Sequence, residues 1–352
     1  MIRIGILGAG RVVQNRYLEV FRDELKNVQV PFVCDPVRQR ADKAAHELNA
    51  KALYHQDELL GSPDVDAVLI ATESGKHYEH ALDILNAGKH VIVEKPPAMT
   101  VEQVLAAEAL ARGKGLMYAV IFQNRLNPAM RKLKETFETG RFGKLVLATI
   151  RLRWCRYQDY YEDGWHGTWK MDGGVINQQA IHHVDALQWV CGPVAEVAAI
   201  QDNLLNDLEA EDTTVAAVRF ESGALGVIEA TTAARPEDFE ASMSVVGEQG
   251  MAVIGGIALN RIDTWQFVVP ESEDKAVPAY FSQEVPTGYG LSHGPLLQEI
   301  VDRLAAERID PPITGSDTIP TVRLVQALYR SNEDQGRVRL ADNPESRRLG
   351  KG

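Results

Sequence analysis

Cysteine is scarce: Cys34, Cys155 and Cys191 are odd in number and too far apart for a disulfide framework or a zinc knuckle. Long apolar runs are missing too, since no stretch approaches the roughly 20 residues a membrane-spanning helix needs. The first residues enter a β-rich segment directly, without the basic start and apolar run of a signal peptide. These absences predict a cytoplasmic chain with no membrane contact. Positive charge is in deficit as well. The 37 Lys and Arg against 49 Asp and Glu leave a formal net charge of −12, which argues against general nucleic-acid binding. Local cations for a small anionic ligand remain allowed. Internal repeats and low-complexity tracts are absent. What is present, 45% hydrophobic and 24% charged residues over 352 positions, suits a globular chain of about two domains.

The run Val91-Ile92-Val93-Glu94-Lys95-Pro96-Pro97 reads as a buried parallel strand that ends in a lysine, where open α/β sheets place their ligands. The two prolines forbid helix there and stiffen the backbone that carries the amine. Upstream, a strand at 2–7 enters Gly8-Ala9-Gly10-Arg11-Val12-Val13 and then a helix to about residue 21. Gly8 supplies the tight turn. Gly10 lets the backbone approach a pyrophosphate seated on the helix amides at Arg11 and Val12. Val13 occupies the place of a third glycine, which loosens the expected helix–strand approach. A second strand at 30–34 ends in Asp35, the distance at which a carboxylate bonds an adenosine ribose and favours NAD over NADP. Arg38 follows, placed to stack on the adenine or to contact a phosphate.

Helices at 37–48 and 78–87, and one to 112 opened by the capping box Thr100-Val101-Glu102-Gln103, alternate with strands at 67–70, 90–93 and 116–120. This alternation predicts an α/β Rossmann domain with a doubly wound parallel sheet over residues 1–122. The turn after Ile70 and the lysine strand both end on the ligand side. Thr72, Ser74, His77, Glu94, Lys95 and Gln123 are therefore expected around the nicotinamide half of the cofactor.

Beyond Phe122 the alternation stops. Asn127-Pro128 opens a helix to about 138. Strands follow at 145–154, 194–200, 213–220, 224–233, 241–246, 251–254 and 264–269, several joined by tight turns. They predict an α+β domain with a large open, mainly antiparallel sheet over residues 123–342, then a tail at 343–352. Residues 270–278 and the stretch after Pro344 are expected to be irregular. Ala216, Val218 and Phe220 alternate with Val215, Ala217 and Arg219, so the second sheet face is not strongly polar. Such a face, uncovered by helices, suits the interface of a homodimer or homotetramer. One helix, 175–190, carries chemistry. It follows Gly173-Gly174, stops at Gly192-Pro193, and sets Gln178, His182 and Asp185 on one face. His182 and His183 point to different faces, so no metal site is expected.

Taken together, these residues resemble the glucose-fructose oxidoreductase/inositol dehydrogenase (Gfo/Idh/MocA) family. The motifs are Gly8-x-Gly10, Asp35, Glu94-Lys95-Pro96, Gly173-Gly174, and His182 followed by Asp185, collinear over nearly the whole chain. The resemblance implies NAD(P)-dependent oxidation or reduction of a sugar or cyclitol hydroxyl, with Lys95 and His182 as the catalytic pair. That reaction needs a base within hydrogen-bond reach of a secondary hydroxyl. His182 suits the task near neutral pH, and burial beside a positive nicotinamide ring disfavours the charged form of Lys95. The family commonly has Asp four residues before this histidine. Gln178 stands there instead and cannot exchange a proton, which leaves the task to His182 and Lys95. Glu73 stands where the family often has proline.

Within the family, Phe122-Gln123-Asn124-Arg125, the segment from Arg153 to Tyr161, and Trp165-His166-Gly167-Thr168-Trp169 resemble a nucleotide-sugar branch. That branch oxidises carbon 3 of UDP-N-acetylglucosamine or its uronic acid. Arg125, Arg153 and Arg156 offer forks that match a diphosphate, with aromatic rings interleaved. Lys95, Arg125, Arg153, Arg156, Trp169, Gln178 and His182 are thus expected to contact substrate. A free sugar or cyclitol substrate stays open, as does a non-catalytic NAD-sensing role.

Overall fold

The computed structural model describes residues 1–351. The chain divides into two compact units, residues 1–123 with 291–319, and residues 124–290 with 320 onward.

The sheet of the first unit contains β1 (Ile2–Leu7), β2 (Val28–Gln29), β3 (Phe32–Cys34), β4 (Lys51–Leu53), β5 (Ala67–Ile70), β6 (His90–Val93) and β7 (Tyr118–Val120). Its order is β4-β3-β1-β5-β6-β7, with β2 also beside β1, and every pairing is parallel. Strand β5 is apolar throughout and β6 from Val91 to Val93, because both of their faces are buried there. The order reverses at β1, so the crevice beyond β1 and β5 is where this class of sheet binds ligands. The helix Val101–Lys114 opens with the expected reciprocal cap between Thr100 and Gln103 and ends at Gly115 in the left-handed region. Residues 291–319 return to this unit. Lys26 donates its backbone N–H to Gln298 (2.7 Å), and Val120 does so to Ile313 (3.1 Å). The strand–helix alternation gives no sign of that return.

The second unit carries β8 (Leu145–Arg153), β9 (Val194–Asp202), β10 (Thr213–Phe220), β11 (Leu225–Thr231), β12 (Glu240–Gly247), β13 (Gly250–Gly255), β14 (Arg261–Phe267) and β15 (Val338–Arg339). They run β14-β13-β12-β8-β11-β10-β9-β15, antiparallel except for β8 beside β11. The parallel sheet followed by a mainly antiparallel one is the architecture the sequence predicts. Helices Pro128–Glu138 and Ile181–Cys191 pack on one face, over Ile150, Leu152 and Met243. The other face presents a row of small side chains, Ala198, Ala217, Val227, Thr149 and Ser244, in register across five strands.

Three local expectations change. The helix expected over 175–190 is two pieces, Val175–Gln178 and Ile181–Cys191, with Ala180 turning its N–H back to Val175. Residues 270–278 are ordered by Asp274, whose two carboxylate oxygens take the Arg141 fork at 2.7 and 2.6 Å. The stretch after Pro344 is pinned: Ser346 is fully buried, its N–H bonds Gln326 at 2.6 Å, and Leu349 is 1% exposed. No helix of the described residues is long and apolar enough to cross a membrane. Because Leu349 packs against the Gly173 turn, Leu349→Ala should cost about 3 kcal/mol in denaturant unfolding, with the slope unchanged.

Candidate active site

The glycine turn of the first unit is built against Asp35. The N–H groups of Ala9 and Val37 each donate to its carboxylate at 2.8 Å, so the loop and the end of β3 are tied at one buried group. Gly8 has φ +93°, and a Cβ there would lie 2.5 Å from the Ala71 carbonyl oxygen. A Cβ on Gly10 would meet nothing within 4 Å. The turn is thus tight on the sheet side and open on the other, beside the first amides of the helix through Arg11 and Val12. These residues fit a dinucleotide pyrophosphate, with the remaining lone pairs of Asp35 placed for a ribose hydroxyl. Arg38 lies over the Tyr54 ring at 4.1 Å, so its planar face is taken by an aromatic of its own chain.

At the end of β5, His77 is fully enclosed, with its ring nitrogens 2.7 Å from the Pro96 carbonyl and 3.1 Å from that of Thr72. Burial drives its pKa down to about 4, so the ring is neutral at pH 7 and donates to one carbonyl only. The imidazole staples the turn after β5 to the backbone beside Lys95. The Thr72 hydroxyl bonds His80 at 2.9 Å, and Ser74 is buried in the same turn. Gln123 is buried beyond β7, and its Oε1 has no hydrogen-bond partner among the described residues.

Lys95 is half-buried at the end of β6. Next to it Glu94 is enclosed, accepting the Tyr17 hydroxyl at 2.6 Å and the Lys95 backbone N–H at 3.0 Å. Burial raises the Glu94 pKa despite the opposing pull of the lysine charge. His293 stands 3.9 Å from the same carboxyl and meets the Tyr17 ring edge-on. Tyr17 and His293 are outside the motifs named above; His293 comes from the returning segment, nearly 200 residues downstream of Lys95.

In the second unit, Gly173-Gly174 leads into the helix pair that carries Gln178 and His182. Gln178 donates its Nε2 to Asp172 at 2.7 Å, and Gly167 donates its N–H to the other oxygen of Asp172 at 3.0 Å. A carboxylate at position 178 would set two negative groups against each other here, which gives the amide a physical reason. Glu211 lies beneath the same turn. Its Oε1 accepts Ile176 N–H and Tyr329 O–H, both at 3.0 Å, while its Oε2 has no partner among the described residues. Burial pushes its pKa up to about 8, with Asp172 adding to the rise. His182 is half-buried, whereas His183 is fully enclosed, has neither ring nitrogen bonded among the described residues, and is pushed by burial down to about 3. Of the two histidines, only His182 is partly exposed.

The cations expected at the substrate all have partners. Arg125 forks onto Asp185 at 2.8 and 2.7 Å, and Thr321 donates to the same carboxylate. Asp185 therefore locks an arginine and does not share an open face with Gln178 and His182. Arg153 is engaged by Glu229 (2.6 Å) and Glu240 (3.2 Å). Arg156 bonds Asp238 at 2.9 Å and lies over Trp154. Trp169 packs edge-on against Tyr329, with Arg348 over its ring at 4.2 Å.

Fold and site define an oxidoreductase with a dinucleotide-binding domain. A family model described as "Oxidoreductase family, NAD-binding Rossmann fold" matches residues 2–122, and the "GFO/IDH/MocA C-terminal domain" matches 130–253. The chain belongs to the Gfo/Idh/MocA family of NAD-binding oxidoreductases. It is similar to the WlbA dehydrogenase of Bordetella pertussis, solved with NADH and UDP-GlcNAcA, at 32% identity and TM-score 0.88 over 96% of this chain and 97% of that one. It is 26% identical to myo-inositol 2-dehydrogenase of Thermotoga maritima over 97% of this chain and 99% of the relative. It is 30% identical to 1,5-anhydro-D-fructose reductase of Ensifer adhaerens over 64% and 68%.

Two outcomes follow from this geometry. Gly10→Ala should leave thermal stability near wild type while NADH affinity, read by fluorescence titration, falls about tenfold or more; Gly8→Ala should lower both. Folded Glu211 keeps its proton to about pH 8, whereas its ordinary value is 4.5. The native state therefore holds the extra proton between those values, and stability falls as pH rises through that window. Glu211→Gln, which mimics the protonated acid, should gain on wild type by up to about 1.4 kcal/mol per pH unit across it, as measured by urea unfolding.

Proposed function

We propose that this chain oxidises a secondary hydroxyl of a sugar, carbon 3 of a UDP-N-acetyl-hexosamine or its uronic acid, passing hydride to NAD. The observation that carries this reading is the likeness to the WlbA structure over nearly the full length of both chains. NAD, when bound, supplies the hydride acceptor; Gly8, Gly10, Arg11, Val12 and Asp35 hold it, with Thr72, Ser74, His77, Glu94 and Gln123 shaping its nicotinamide side. Lys95 and His182 share the proton of the reacting hydroxyl. Gln178, its Nε2 bonded to Asp172, is the substrate contact proposed on this helix pair. The three widely separated cysteines favour a cytoplasmic setting for the chain.

A cyclitol or free-sugar reading is favoured by one specific observation: Arg125, Arg153 and Arg156 are each neutralised within the protein, which weakens their claim on a diphosphate. A panel of UDP-GlcNAcA, UDP-GlcNAc, myo-inositol and free hexoses separates the two, followed by NADH formation and, for tightly held cofactor, by single-turnover bleaching of bound NADH with the oxidised sugar. Turnover confined to polyols would overturn the nucleotide-sugar reading. Lys95→Met should abolish hydride transfer with NADH affinity within about threefold of wild type; wild-type turnover would remove Lys95 from the mechanism.

The uncovered sheet face is proposed as the interface of a homodimer or homotetramer. Its central row is of small side chains, and Val215 and Leu225 beside it are about half exposed (51% and 49%). Val227→Arg should reduce the mass found by light scattering to that of one chain. A wild-type protein already of that mass would refute the proposal.

A further inference from the structure

At the edge of the second unit's sheet lies a cavity of about 710 Å³, walled by β9, the end of β10, β15 and the helix Gly315–Asp334. Its lining carries three guanidiniums, Arg219, Arg323 and Arg339, against two carboxylates, Glu196 and Glu221. Glu196 is already taken by Arg219 at 3.1 Å and approached by Arg337 at 3.8 Å. Arg339 stands opposite Glu196 in the strand register, yet makes no ion pair with it.

Arg323 is the more telling group. Its Nε is shut away from solvent and has no acceptor among the described residues. An enclosed charged donor without an acceptor is costly, and a chain with 12 more acidic than basic residues has no shortage of carboxylates to offer. Arg141, Arg330 and Arg347, for example, all carry short carboxylate pairs. Here Arg323 and Arg339 line one cavity, and its remaining carboxylate, Glu221, is exposed. Val194, Pro320 and Leu340 give the same cavity apolar wall.

We propose that this cavity is a second ligand site, which takes a small phosphate-bearing organic anion on the forks of Arg323 and Arg339. A phosphoryl group offers the paired oxygens that guanidinium forks match, and the apolar wall accommodates the organic part. None of the residues assigned to cofactor, substrate or proton transfer lines it, so the site stands whichever sugar the enzyme oxidises.

The test uses pyrophosphate as probe, titrated calorimetrically into the full-length, NAD-saturated protein at constant ionic strength. Wild type and the Arg112→Gln control, an exposed arginine elsewhere, should bind it saturably below about 1 mM. Arg323→Gln with Arg339→Gln should weaken binding at least about tenfold while the unliganded melting temperature stays near wild type. Should the double variant fold poorly, Arg339→Gln alone, at an exposed strand end, should still weaken binding severalfold. Equal affinity in the arginine variants, or no saturable binding by wild type, overturns the proposal.

Discussion

A carboxyl group taken out of water is costly unless donors or a counter-charge replace the solvent, and the candidate residues of both units are arranged around groups that meet this constraint. Asp35 meets it with two backbone N–H groups, and in doing so fixes the glycine turn to the strand beside it. Asp185 meets it with an arginine fork and a threonine hydroxyl. Glu94 and Glu211 use a different device, the same in each unit: one tyrosine hydroxyl and one backbone N–H. Neutral donors stabilise a carboxylate less than a paired cation does, so burial wins and both acids are shifted upward.

The consequence is local rigidity where chemistry is expected. Glu94 receives the backbone N–H of Lys95 itself, so the residue that bears the amine is fixed by its neighbour's side chain. His77 holds the Pro96 carbonyl on the other side of the same lysine. In the second unit Tyr329 donates to Glu211 and accepts the Gly174 N–H, holding the turn from which the helix with Gln178 starts. Gly174 is required there because a Cβ would run into Glu211. Gly174 is therefore explained by the buried acid beneath it, and Gly173 by its φ of +77° and the close approach of Leu349 and Tyr329.

Much of this was legible in the residue order. The lysine at the end of an apolar strand, the glycine turn, Asp35, the capping box at Thr100 and the change to an antiparallel sheet after Phe122 are all local patterns, and local patterns are what periodicity and turn chemistry record. What escaped was long-range. His293 comes within 3.9 Å of Glu94, and Glu211 is bonded by Tyr329, each more than 100 positions away. The helix break at 179–180 has no proline or glycine to announce it. The tail after Pro344 looks like a frayed end, but Ser346 and Leu349 are buried, and only the fold reveals that.

The arginines show why a count of charges misleads. Arg125, Arg153 and Arg156 cluster with aromatics in sequence and invite assignment to an anionic substrate. Each instead spends its fork on Asp185, Glu229 and Glu240, or Asp238. Such pairing does not bar a ligand; a phosphate can join an arginine that a carboxylate already orients, at the expense of like-charge repulsion. Electrostatic affinity, however, depends on net local charge, and neutralised forks contribute geometry more than attraction. If the substrate is a nucleotide sugar, its diphosphate must be held mainly by hydrogen-bond donors and backbone amides. Discrimination between a UDP-sugar and a free polyol then rests on shape and stacking, which makes the low-charge cyclitol a real competitor and not a formal one.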